Sequence, residues 1–155
     1  MQLLSGSIAL VTGAGRGLGA AIAEGLAAAG ASLVIVDIDL ATVEATAADL
    51  RAKGFQAEGW VLDVTDRAAV MTFAADFTRR HGRLDVLVNN AGLAGRARID
   101  EDHAPEVWDR VMRVNLDGTF NVSHAFVPAL KAGKGAVVNL SSVAGFVAGG
   151  STAGY

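Results

Sequence analysis

The chain has 155 residues, of which 52% are apolar, with 19 glycines and 2 prolines; that is enough for one domain with a sizeable core, and it excludes disorder. A net charge of −3 without a basic block excludes a nucleic-acid surface, and the absence of cysteine excludes disulfides and thiolate-bound metals. No apolar run reaches the roughly 18–20 residues of a membrane helix and no signal-peptide pattern opens the chain, so a soluble cytoplasmic protein without membrane partners is expected.

The first predicted strand is 7–12, ending in the apolar run Ile8-Ala9-Leu10-Val11. It leads into Thr12-Gly13-Ala14-Gly15-Arg16-Gly17-Leu18-Gly19, a glycine turn that opens a helix predicted over 17–29. A strand, a tight glycine turn and a helix start are what a dinucleotide pyrophosphate needs. Glycines let the backbone turn sharply and approach the phosphates, and the helix start presents N–H groups and a positive dipole end. The bland alternative is a plain strand-to-helix connection with glycines for close packing. Leu18, Ile22 and Leu26 are spaced as an apolar helix stripe, and Gly30 closes that helix.

The second strand, 32–36, shows no polar alternation, as expected for a parallel strand covered on both faces. Asp37 follows it, about 20 residues past the glycine turn, where an acidic side chain accepts from the adenosine ribose hydroxyls and repels a 2′-phosphate. Asp37 also reads as an N-cap for the following helix. Arg16, beside the phosphate turn, argues the other way, for NADP. Asp37 sits where the 2′-phosphate itself would go, so NAD is the expected cofactor and NADP the alternative.

A helix is predicted over 40–53, a strand over 56–62 and a helix over 66–81 with Val70, Phe73, Ala74 and Phe77 on one face. The fourth strand is 86–88. One long helical tract is predicted over 104–131, with Asn115 and Gly118 marking a kink, and a fifth strand over 136–140. His81, His103 and His124 have no metal-ligand spacing, and no metal site is expected. Trp60 and Trp108 read as packing residues. Five strands alternating with helices argue a single-domain, doubly wound parallel α/β sheet of the Rossmann type.

Three further features follow at strand ends. Asp63-Val64 closes the third strand, Asn89-Asn90-Ala91-Gly92 the fourth, and Leu140-Ser141-Ser142 the fifth, with Tyr155 coming 13 positions after Ser142. Together with the glycine turn, this series resembles the short-chain dehydrogenase/reductase family over the whole of 5–155. The resemblance implies that Gly13, Arg16, Gly17, Leu18 and Gly19 hold the pyrophosphate side, Asp37 the ribose, and Asp63 with the Val64 backbone the adenine edge. It implies that Asn90, Ala91 and Gly92 line the cofactor floor, and that Asn115 kinks its helix and holds a proton-relay water through its carbonyl. Ser142 would hydrogen-bond the substrate oxygen, and Tyr155 would be the general acid/base.

Each residue keeps a plainer reading beside that one. Asp63 can cap a turn before Asp66, Asn89 and Asn90 can form a turn, Asn115 can be a surface polar residue, Ser141-Ser142 an ordinary loop pair, and Tyr155 a frayed end.

The activity implied is NAD(H)-dependent interconversion of a secondary alcohol and a ketone. The alternatives are an NADPH-dependent 3-oxoacyl carrier-protein reductase and a non-catalytic dinucleotide-binding fragment. A tyrosine, with a pKa near ~10, needs a nearby cation to act as a base at neutral pH. The family supplies a lysine four residues after it, and this chain ends at Tyr155. An incomplete chain that does not catalyse alone is therefore expected. The family also implies a homo-oligomer, dimer or tetramer, in which the 104–131 tract forms part of a subunit interface.

Overall fold

In the computed structural model, residues 2–142 are described; Tyr155 lies outside them. Five strands form one sheet: β1 (Ile8–Thr12), β2 (Ser32–Asp37), β3 (Ala57–Val61), β4 (Val86–Asn89) and β5 (Ala136–Asn139). They pair in parallel in the order β3-β2-β1-β4-β5, with Val11 opposite both Ile35 and Val88. The chain winds outward from β1 to β3 and then crosses back to β4. Strand order therefore reverses between β1 and β4, where open parallel sheets bind ligands at their C-terminal ends.

Both faces are covered, which is why the central strands show no alternation. On one face Leu10, Val34, Val36 and Leu87 pack against α3 (Arg67–His81) and the later helices through Phe73, Phe77 and Phe126. On the other, Ala9, Val11, Ile35 and Val88 meet α1 (Gly17–Ala28) and α2 (Leu40–Ala52) through Ala23, Ala27, Val43 and Ala47. The predicted α3 face is buried as read.

Two expectations need correction. The stripe Leu18-Ile22-Leu26 is not the centre of the packed face of α1: Ile22 and Leu26 pack partly buried at its edge, Leu18 is 63% exposed, and the fully buried positions are Gly19, Ala23 and Ala27, one residue on in phase. Small side chains let the helix lie close to the strands, so the tightest contact is made by the least apolar-looking stripe. Nor is 104–131 a single helix. It divides into α4 (Ala104–Met112), a π-helical segment (Arg113–Gly118), α5 (Thr119–Ala125) and α6 (Val127–Gly133). Asn115 and Gly118 do mark the irregularity, as a widened π turn. The second break, at Phe126, precedes Pro128, whose ring leaves no N–H for the preceding turn and crowds it.

Asp39, not Asp37, caps α2: its carboxylate accepts from the Thr42 N–H at 3.2 Å. That removes the capping role as a reason for Asp37. Trp60 and Trp108 are only half buried; Trp60 packs on Phe73 and under the Arg80 guanidinium, 4.5 Å from its ring centre.

Candidate functional site

β1 ends on Thr12, which is buried, and the chain turns at Gly13 (φ +63°) and again at Gly17 (φ +58°) into α1. Positive φ at both positions suits glycine. Gly13 also has no room for a side chain, since a Cβ there would come 2.8 Å from the Ala91 Cα. Gly19 lies in the first turn of α1 with helical geometry, yet a Cβ there would overlap the Gly13 carbonyl oxygen and the Asn90 amide nitrogen. The glycine turn and the loop after β4 thus touch backbone to backbone.

Thr12 and Asn90 join them. The Asn90 and Ala91 backbone N–H groups both donate to the Thr12 hydroxyl at 3.0 Å. The Asn90 side chain donates to the Thr12 and Gly13 carbonyls, each at 2.9 Å. Asn90 is more than a turn former: it satisfies carbonyls that the turn takes out of the sheet ladder.

Asp37 closes the second side. Its Oδ2 accepts from the Gly15 N–H at 2.9 Å and its Oδ1 from the Asp39 N–H at 3.2 Å. Each carboxylate oxygen can accept a further bond, so the acid is oriented and still open to a donor. Asp63 makes the turn its plainer reading anticipates, accepting from the Thr65 N–H and hydroxyl at 2.8 Å, and its neighbour Val64 is held from behind. Asn121, buried on α5, donates to the Val64 carbonyl at 3.1 Å and accepts from Arg67 at 2.9 Å. A Cβ on Gly118 would come 2.6 Å from Val64 Cγ2, so the π segment passes directly behind this loop.

These elements enclose a cleft of about 550 Å³. Gly13, Arg16, Leu18, Gly19, Asp37, Asp63, Val64, Asn90, Ala91 and Gly92 all line it. Gly17 does not; it opens α1 beside it. Ile38, Leu62, Leu93 and Val114 supply apolar walls that the sequence reading missed. The first N–H groups of α1 have no partners within the helix and suit an anion.

A second cavity, of about 590 Å³, adjoins the first and shares Leu18 and residues 90–93 with it. Asn115 and Ser142 both line it, brought together although they lie on different elements. Asn115 grips the Leu93 backbone, accepting from its N–H at 2.9 Å and donating to its carbonyl at 3.0 Å; its own carbonyl accepts from the Thr119 hydroxyl at 2.8 Å. It is not a surface polar residue. The Asn89 amide donates to the Ser123 hydroxyl and the Asn139 side chain at 2.9 and 2.8 Å, which fixes the end of β5 from which Ser141 and Ser142 follow. Among the described residues no three His, Asp or Glu side chains gather as a metal site, and no helix is long and apolar enough to cross a membrane.

The family model described as short chain dehydrogenase matches residues 7–155. A D-threitol dehydrogenase of Mycolicibacterium smegmatis is 42% identical over 146 residues, covering 94% of this chain and 56% of the relative. A gluconate 5-dehydrogenase from Burkholderia cenocepacia, solved in complex with NADP and tartrate, superposes with a TM-score of 0.91 at 42% identity, over 98% of this chain and 60% of that one. An NAD+-bound xylitol dehydrogenase superposes with a TM-score of 0.92 at 34% identity, over 98% and 59%. The chain spans 23% to 60% of the length of the curated relatives it matches.

Proposed function

This chain belongs to the short chain dehydrogenase family, and we propose from that premise that it carries the dinucleotide site of an NAD(H)-dependent oxidoreductase interconverting a secondary alcohol and a ketone. The choice of NAD rests on the Asp37 carboxylate, which lines the cleft at the C-terminal end of β2. An acidic acceptor there suits ribose hydroxyls and repels a 2′-phosphate. The fit of a dinucleotide is supported by the tight glycine turn, in which Gly13 and Gly19 pack so closely on the loop after β4 that no Cβ fits, and by the helix start beside it.

When bound, the nicotinamide supplies the hydride chemistry. The chain's own residues bind and orient. Gly13, Gly17 and Gly19 bring backbone N–H groups to the pyrophosphate, flanked by Arg16 and Leu18. Asp37 takes the ribose, Asp63 and Val64 the adenine edge, and Asn90, Ala91 and Gly92 the floor. Ser142 hydrogen-bonds the substrate oxygen. Tyr155 gives or takes the hydroxyl proton, and the Asn115 carbonyl holds a relaying water.

The named substrates of the threitol, gluconate and xylitol dehydrogenases are polyhydroxylated, so polyols and sugar acids head the substrate panel. Assayed in a chain that continues past residue 155, Tyr155→Phe is expected to lower kcat on the best of them by about 10²–10⁴-fold. An unchanged kcat in steady-state assays would contradict the assignment. Arg16, exposed in the same cleft, favours the second reading, an NADPH-dependent 3-oxoacyl carrier-protein reductase.

Trp108, Leu116 and Phe120 stand 47%, 56% and 56% exposed along α4, the π segment and α5. They support a homo-oligomer, dimer or tetramer, built on that surface. Sedimentation at micromolar concentration checks this, and a monomer counts against it.

A further inference from the structure

The backbone of Gly15, within the glycine turn, is held from both β2 and α2. Its N–H donates to Asp37 at 2.9 Å, and its carbonyl accepts from the Thr46 hydroxyl at 2.8 Å. A Cβ on Gly15 would overlap the Thr42 hydroxyl and sit 3.0 Å from the Asp37 carboxylate, so α2 packs directly on the turn. Thr42 itself donates back to the Asp39 carbonyl at 3.1 Å, which leaves Thr46 as the side chain that grips the turn from the helix. Thr46 is not among the residues lining the cleft.

We infer that Thr46 is a positioning residue for dinucleotide binding, acting through the Gly15 carbonyl. The Gly15–Arg16 peptide is planar and trans, so its carbonyl and its N–H point in opposite directions. Holding the carbonyl toward α2 turns the Arg16 N–H away from α2 and sets the entry of the chain into α1, for which Arg16 is the N-cap residue. Without the hydroxyl, that peptide is free to rotate between Gly13 and Gly17, both of which have positive φ and tolerate wide backbone change. Asp37 then holds only one side of Gly15. A pyrophosphate must re-order the turn on binding, and affinity falls by that ordering cost.

The inference rests on the dinucleotide reading of the cleft. Thr46→Val removes the hydroxyl at nearly constant volume, and Thr46→Ser keeps it. Titration with NADH should show Kd raised about fivefold in Thr46→Val, the effect of one lost hydrogen bond. In a chain that continues past residue 155, KM for the dinucleotide should rise in the same proportion with kcat little changed, and Thr46→Ser should restore wild-type affinity. A purely structural threonine would lower the melting temperature and leave Kd and KM alone. Should Thr46→Val fail to fold, Thr46→Ala read by the same titration takes its place. A wild-type protein that binds NADH no better than its Thr46→Val form overturns the inference alone. A wild-type protein that binds neither NADH nor NADPH overturns the dinucleotide reading and the inference with it.

Discussion

Gly19→Ala should weaken dinucleotide binding by about 10²-fold, the scale on which a displacement of about 1 Å in a preorganised site is felt. Residue 19 is helical, and alanine normally stabilises a helix over glycine by about 1 kcal/mol. Here space decides the sign. The added methyl would overlap the Gly13 carbonyl oxygen and the Asn90 amide. Neither can step aside cheaply, because the Asn90 amide already donates to Thr12 and Gly13. Relief must come from moving the glycine turn, which is the phosphate cradle. Gly25 is an internal control: it lies in the same helix and a Cβ there meets nothing within 4 Å. Gly25→Ala should leave NADH binding intact and the fold slightly more stable. Calorimetric titration of both variants separates the cases, and a Gly19→Ala protein with wild-type affinity would contradict the cradle.

Asp37→Ala is expected to weaken NADH binding by about 10–100-fold, as for a lost charge-assisted hydrogen bond. Its effect on NADPH should be smaller, because the repulsion toward a 2′-phosphate disappears at the same time. The preference ratio should therefore move toward NADPH by about tenfold or more. Tight NADPH binding should still not appear. Asp37 also holds the Gly15 N–H, so removing it loosens the phosphate turn as well as the ribose end. Paired titrations with NADH and NADPH check this, and an unchanged ratio would contradict the role given to Asp37.

Much of the fold was legible because parallel strands covered on both faces appear as apolar runs, and α3 shows its buried face in Val70, Phe73, Ala74 and Phe77. The phase of α1 was not legible. Its apolar pattern points to Leu18, while close packing on the sheet selects Gly19, Ala23 and Ala27. The π segment was visible only as an irregularity, since Asn115 and Gly118 signal a break but not its geometry. Residues in the loops at strand ends announced themselves by glycine, asparagine and aspartate in short runs, and the fold brings them to one cleft. Thr46 and Asn121 did not. Each is a single polar residue on a helix, and its importance lies in a backbone carbonyl distant in the chain, Gly15 for one and Val64 for the other. Only the tertiary packing of α2 and α5 reveals them. Thr12 lay inside the conspicuous turn, yet its part in holding Asn90 and Ala91 depends on β1 and β4 being neighbours.

The central claim is that the cleft between the ends of β1 and β4 binds a nicotinamide dinucleotide and prefers NAD. Equilibrium titration of the wild-type protein with NADH and with NADPH, under identical buffer and salt, tests it most directly. The account predicts one site per chain with NADH bound the more tightly. Tighter binding of NADPH, or saturable binding of neither, would contradict it.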